Sequence, residues 1–159
     1  MSFSLLDSIL QQMAMVYEDN HWHAPLQRLL ATVDADLAAR RPAQGGHTIY
    51  ELVHHLAYSM EEVSFRVSGR PGQWIETESW VAAPDALTPE RWQASLDRLA
   101  AARDAFRSAL SALDEETLAR PSGDRPSPFE LALQLIHHEA FHAGQIAYIR
   151  RLFGYEAVM

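Results

Sequence analysis

The sequence predicts an all-α protein, and more specifically a four-helix bundle. Apolar residues recur every three or four positions through four long segments, which is the period of a helix with one buried face. Capping signals precede these segments, and no segment shows the alternation of apolar and polar residues that marks a strand. Four amphipathic helices can bury one shared core by packing side by side. The length of 159 residues fits a single domain over residues 1–159.

Each of the four long helices begins with a residue that can cap it. The predicted caps are Ser4, Thr48, Thr88 and Ser127. Thr48 and Ser127 each stand three positions before a glutamate, which is the capping-box pattern, and a proline directly follows Thr88 and Ser127. Gly154 fits the end of the last helix. The predicted helices cover residues 2–19, 48–67, 88–113 and 127–153.

The segments between the long helices are shorter or less regular. Residues 26–37 keep a helical spacing and predict one further short helix. Residues 73–87 predict a long connection without regular structure. Its Trp74 and Trp80 either cover a pocket or pack on the bundle or in a dimer interface. Residues 113–125 predict a polar connection.

Composition and charge exclude several classes of protein. The chain has no cysteine, which excludes disulfides, thiolate nucleophiles and cysteine-ligated zinc. All 13 basic residues are arginine, so a lysine Schiff base and a P-loop lysine are excluded as well. The net charge of −8, without a visible basic stripe, argues against nucleic acid as a partner.

The sequence also predicts where the protein works. No apolar run approaches the ~18 residues that a membrane-spanning helix needs, so we expect no membrane partner. The first residues lack a basic region and a cleavage-like site, so we expect no secretory signal. These two features together predict a cytoplasmic protein.

Two histidines in the last long helix occupy positions that normally hold Leu or Ile. His138 and His142 lie four residues apart on the same stripe as Leu135 and Ile149. Imidazoles at this spacing can both reach one metal ion through their ring nitrogens. The alternative is that both are core histidines that hydrogen-bond across the bundle. A third histidine on another helix is needed to decide between these interpretations.

The second long helix offers that third histidine. His55 lies at the border of the apolar arc, one turn after Leu52, whereas His54 points almost opposite the arc and is predicted to be solvated. His55 can therefore meet His138 and His142 inside the bundle. Three histidines without an evident fourth protein ligand are typical of a metal site that stays open to water or substrate.

Several other polar residues have simpler explanations. His21, His23 and His47 are predicted surface or capping groups, and His137 lies about 100° away from His138 around the helix. Glu51 could be a metal ligand, but its capping box already explains it.

Two charged residues near the predicted site are less easily explained. Arg103 interrupts the apolar stripe of the third long helix, where it either pairs with an acid or binds an anionic group of a substrate. Glu139 is either a helix–helix pairing residue, a solvated residue or a group that approaches metal-bound water.

The segment from His138 to His142 also matches H-E-x-x-H, the helix motif of zinc metalloproteases. In those enzymes the glutamate acts as general base, and the fuller pattern continues with glycine and a third histidine. Here the corresponding later positions are Gln145 and Tyr148. A metallohydrolase of this type is therefore only a remote alternative.

Longer stretches of the chain resemble the DinB (DinB/YfiT-like) family of bacterial proteins. These stretches are HWHAPLQRLL, GGHTIYELVHHLAYSMEE and IHHEAFHAGQIAYIRR. The resemblance implies a four-helix bundle that carries a divalent metal on three histidines. Matched position by position, those ligands are His55, His138 and His142, the same three that the helical spacing selects. The resemblance also implies a homodimer.

The resemblance implies chemistry as well. Family members include metal-dependent S-transferases and isomerases that use low-molecular-weight thiols such as bacillithiol or mycothiol. The first hypothesis is therefore a thiol transferase or related enzyme with a thiol cosubstrate. The second is a non-catalytic metal-binding protein of the stress response, and the third is a plain bundle without metal. Three imidazoles suit Zn²⁺ or Ni²⁺, with Fe²⁺ or Cu²⁺ as alternatives.

Overall fold

The computed structural model describes residues 4–19 and 22–158, and its regular structure in these residues is helical. No β-strand occurs within the described ranges, so the all-α prediction is confirmed. The helices, in chain order, are α1 (Leu5–Tyr17), α2 (Leu26–Leu30), α3 (Ala35–Ala39), α4 (Ile49–Val67), α5 (Glu76–Ser79), α6 (Pro89–Ser111), α7 (Glu115–Ala119) and α8 (Pro128–Leu152).

The four long helices form the predicted bundle. Helix α4 packs against α6 on one side and α8 on the other, and α1 closes the ring by contacting α8 and α6. Their inward faces form one apolar core, whose fully buried members include Leu56, Met60, Phe106 and Ile146. The arrangement places α4 and α8, which carry the three selected histidines, next to each other.

The predicted caps begin all four long helices. The Ser4 and Thr88 side chains accept hydrogen bonds from backbone amides three residues later. Thr48 and Ser127 form complete capping boxes; in the first, Glu51 accepts from the Thr48 amide at 3.0 Å. These bonds satisfy amides that have no partner inside the helix. At the other end of α8, Gly154 adopts a positive φ of 86°, as its predicted role requires.

The short elements differ from the prediction in two places. Residues 26–37 do not form one helix: the first helix ends at Leu30, and Asp34 caps a second one, since its side chain accepts from the Leu37 amide at 2.8 Å. The connections over residues 73–87 and 113–125 are not irregular throughout, since they contain α5 and α7. Helix α7 forms because Asp114 caps it and its Leu118 is completely buried against the bundle.

A buried ion pair joins two opposite helices of the bundle. Arg103 of α6 donates to the carboxylate of Glu139 on α8, and both side chains are almost completely shielded from solvent. The Arg103 guanidinium also lies 3.7 Å from the centre of the Tyr17 ring and donates to the Met13 carbonyl of α1 at 3.3 Å. The pair therefore connects three of the four long helices.

None of the described helices combines the length and the apolar character that a bilayer crossing requires.

We expect Glu139→Leu to lower the free energy of unfolding by about 3–5 kcal/mol, because the charge of Arg103 stays buried without its partner. The single variant Arg103→Met should also lower the free energy of unfolding. The double variant Arg103→Met/Glu139→Leu should lower it by much less than the sum of the two single variants, because the double variant buries no unpaired charge. Urea denaturation followed by circular dichroism measures both.

Glu116→Ala is the control for this experiment. Glu116 pairs with Arg120 on the surface of the bundle, where an ion pair contributes less than about 1 kcal/mol. If Glu139→Leu and Glu116→Ala lowered the free energy of unfolding equally, the interior pair would not be important for stability.

Candidate metal centre

The three selected histidines meet between α4 and α8. His138 Nε2 lies 3.0 Å from His55 Nε2 and 2.9 Å from His142 Nε2. One ligand atom from each ring lies within 4.8 Å of those of the other two. His55 and His142 are each only 5% exposed, so these nitrogens converge inside the protein rather than at its surface.

The outer nitrogens of two rings are held by oxygen acceptors. His55 Nδ1 donates to the Ser79 carbonyl at 3.2 Å, and His142 Nδ1 donates to Gln145 Oε1 at 2.6 Å. Because each Nδ1 carries the proton, each Nε2 presents a lone pair to the centre of the cluster. This is the orientation that hydrogen-bonded histidines adopt around a metal.

The contacts among the three Nε2 atoms cannot all be hydrogen bonds. With the Nε2 atoms of His55 and His142 unprotonated, His138 can donate one proton to one of them at a time. A divalent cation would accept all three lone pairs. Two nitrogens that each lie about 2.0–2.1 Å from a metal are about 2.8–3.4 Å apart at ordinary coordination angles. The spacings from His138 to His55 and to His142 fit this range, and the three residues could hold one metal ion.

The protonation states favour the same role. Burial, together with the neighbouring His142, lowers the pKa of both His55 and His138 to about 4. Burial also lowers the pKa of His142, although the hydrogen bond to Gln145 opposes this effect. All three rings are therefore neutral near pH 7, the form in which an imidazole binds a metal.

The connection between α4 and α6 covers one side of the cluster. The Trp80 ring stacks on His55 with centroids 3.9 Å apart, and His47 stacks on the other face of Trp80 at 3.8 Å. Trp74 meets the edge of the His55 ring at 5.8 Å. Of the two interpretations of these tryptophans, the structure favours the one in which they cover a site.

His54 corrects one prediction. It is half-buried rather than solvated, because α5 and α6 cover this face of α4. Its Nε2 donates to the Glu78 carbonyl at 2.8 Å, and Arg98 donates to its Nδ1 at 3.0 Å. The predicted direction of His54 around the helix correctly excluded this residue from the cluster. It could not show that α5 would pack against this face of α4.

The other histidines remain outside the cluster. His23 and His47 are exposed, as predicted, although His47 also stacks on Trp80. His137, predicted only to point away from His138, is exposed as well. His21 lies outside the described residues.

The acidic candidates are engaged elsewhere. Glu51 serves the Thr48 cap and also binds Arg41, so its predicted structural role is confirmed. Glu139 binds Arg103 and is not among the residues that surround the converging nitrogens. The structure therefore lacks, among its described residues, the glutamate arrangement of an H-E-x-x-H hydrolase. Because Arg103 forms this ion pair with Glu139, it is not available to bind an anionic group of a substrate.

Two residues of the site, Gln145 and Ser79, were not assigned a role from the sequence. Gln145 stands three residues after His142 on the same helix, and this spacing is a signal that it could orient that ring. The Ser79 carbonyl left no signal, because its contact with His55 depends on how the loop folds back over α4. Trp80 was a candidate cover for a pocket, but its stacking on His55 depends on the same fold of the loop.

One of three comparisons with known proteins identifies the family of this chain. Residues 19–146 match the family model of the DinB superfamily. The chain belongs to the DinB superfamily. The comparison with curated proteins and the comparison with solved structures each returned no match. Membership confirms the resemblance to this family that the sequence analysis described. It also agrees with a histidine cluster that could hold a metal ion.

We expect His55→Ala, His138→Ala and His142→Ala each to abolish binding of a divalent metal, because two imidazoles hold a cation far less tightly than three. Metal analysis of untagged protein after dialysis measures the content per chain. His137→Ala is the matched control, because His137 is exposed and adjacent in sequence. Loss of metal from the control, or retention in all three variants, would contradict the site.

Gln145→Ala should weaken metal binding by about 10–100-fold without abolishing it, because His142 loses the acceptor that fixes its ring. Competition with a chromogenic chelator gives the dissociation constant. Gln93→Ala, on the exposed face of α6, provides the comparison and should leave the constant unchanged. Identical constants for the two variants would mean that the hydrogen bond to Gln145 does not tune the site.

Proposed function

We propose that this DinB-superfamily protein is a metal-dependent transferase that joins a low-molecular-weight thiol to an electrophilic carbon. The observation that carries the proposal is the convergence of three neutral histidine nitrogens beside a cavity that His138 helps to line. Three protein ligands are the number that leaves a catalytic metal open to a further molecule.

A divalent metal in such a site supplies Lewis acidity, which lowers the pKa of a thiol that reaches its open position. The protein itself keeps the three rings neutral by burial. It orients two of them, His55 through the Ser79 carbonyl and His142 through Gln145. Zn²⁺ or Ni²⁺ is the proposed metal, with Fe²⁺ or Cu²⁺ as alternatives that three imidazoles also accept.

The residues around the cluster favour an external thiol as nucleophile. The chain has no cysteine, so the sulfur must arrive with a cosubstrate. Glu139, the residue that would act as general base in a hydrolase, is paired with Arg103. Activation of the nucleophile therefore depends on the site's metal rather than on a carboxylate base.

The proposed reaction balances without an oxidant or reductant. The thiol sulfur forms a new bond to an electrophilic carbon, and the leaving group departs with the electron pair of the bond that breaks. The thiol proton passes to solvent. Trp80 and Trp74 cover one side of the cluster and would limit the access of water to the reacting sulfur.

We expect the zinc- or nickel-loaded protein to accelerate the reaction of L-cysteine with monobromobimane, and His138→Ala to react at the uncatalysed rate. Fluorescence of the thioether product measures both rates, and His137→Ala should keep the parent rate. A loaded parent protein that gives no acceleration with any thiol would contradict the transferase and favour a metal-binding protein without catalysis.

A further inference from the structure

The histidine cluster opens towards a small cavity between α4 and α8. This cavity has a volume of about 220 Å³ and includes His138 in its wall. His138 is also less buried than His55 and His142, which do not line the cavity. A larger cavity of about 480 Å³ lies beyond Gln145, and none of the three histidines lines it. A molecule that reaches the cluster therefore has its direct approach through the smaller cavity.

The wall of the smaller cavity carries one group of each charge. Glu62 and Arg66 both line it and lie one turn apart on α4. Acid–base pairs at this spacing commonly form an ion pair, but among the described residues these two do not. Both charges are therefore available to a ligand. Gln134 of α8 adds a side-chain amide to the same wall.

Glu62 also has an unmet hydrogen-bonding need. Its Oε2 atom is shielded from solvent and has no hydrogen-bond partner within the part of the chain that the structure describes. A shielded carboxylate oxygen without a donor is unfavourable, so such atoms usually have a partner. Because this oxygen is closed to solvent, it marks Glu62 as a charge that the described residues leave unpaired, and a ligand would approach the carboxylate from the cavity side.

Gly72 brings the following loop down onto both charged residues. A Cβ atom at this position would lie 3.0 Å from Glu62 Oε2 and 3.1 Å from Arg66 Cγ. The close approach restricts where the two side chains can move. It keeps them at the cavity wall, on the same helix as His55.

We propose that this cavity binds the zwitterionic head of an amino-acid-type thiol, with its ammonium group on Glu62 and its carboxylate on Arg66. The sulfur then points towards His138 and the open side of the cluster. The volume is below the ~300–1,000 Å³ of pockets for drug-sized ligands, which suits a head group of a few atoms. Separate charges of opposite sign fit a zwitterion better than an anion or an apolar molecule. This inference rests on the proposed function, because it names the thiol that the transferase uses.

The test uses cobalt-loaded protein, in which a bound thiol gives a sulfur-to-cobalt absorption band. Titration with L-cysteine should give about tenfold weaker binding in Glu62→Gln and in Arg66→Gln, because each loses one charge-assisted contact. Titration with 2-mercaptoethanol, which lacks both charged groups, should give the same affinity in parent and variants. The controls Glu78→Gln and Arg70→Gln change exposed residues outside the cavity wall and should bind both thiols like the parent.

The outcomes separate this inference from the proposed function. Unchanged affinity for L-cysteine in Glu62→Gln and Arg66→Gln, with the absorption band present, overturns the head-group site and leaves the thiol transferase standing. A cobalt-loaded parent that gives no band with either thiol overturns both. Weakened binding of 2-mercaptoethanol in the two variants, equal to that of L-cysteine, would mean that they disturb the metal site, and this too overturns the head-group assignment.

Discussion

The site depends on the rotation of α8 about its own axis. Neighbouring residues on a helix point about 100° apart, so the direction of Glu139 sets the direction of His138. The buried pair with Arg103 turns Glu139 towards α6 and α1, which leaves His138 and His142 facing α4 and His55. Apolar packing alone permits small rotations of a helix, whereas a buried ion pair has one favourable partner. The pair that connects three helices therefore also fixes the geometry in which the three ring nitrogens meet.

The second layer of the site comes from outside the bundle. The connection after α4 folds back so that the Ser79 carbonyl accepts from His55 and the Trp80 ring stacks on it. Gln145, which lies on α8 itself, accepts the corresponding hydrogen bond from His142. His55 is thus held by a loop and His142 by its own helix, while His138 faces the cavity. This asymmetry gives the cluster a closed side under Trp80 and an open side at the cavity that Glu62, Arg66 and Trp74 line.

The sequence was sufficient for features that depend on local rules. Helical spacing and capping boxes predicted the four long helices, and the same spacing selected His55, His138 and His142 without a structure. Features that depend on distant contacts were not predictable in this way. The helix break before Asp34, the burial of Leu118 and the half-buried state of His54 each require knowledge of which segment packs where. The predicted homodimer concerns a second chain and stays a prediction.

The most direct test of the metal centre is an anomalous difference map from crystals of untagged protein grown with zinc, with data collected at the zinc absorption edge. The account predicts one strong peak at about 2.0–2.1 Å from the Nε2 atoms of His55, His138 and His142. It also predicts that the remaining side of the metal faces the cavity beside His138. A map without a peak at the three histidines, or with the strongest peak at the exposed His23 or His137, would contradict the account.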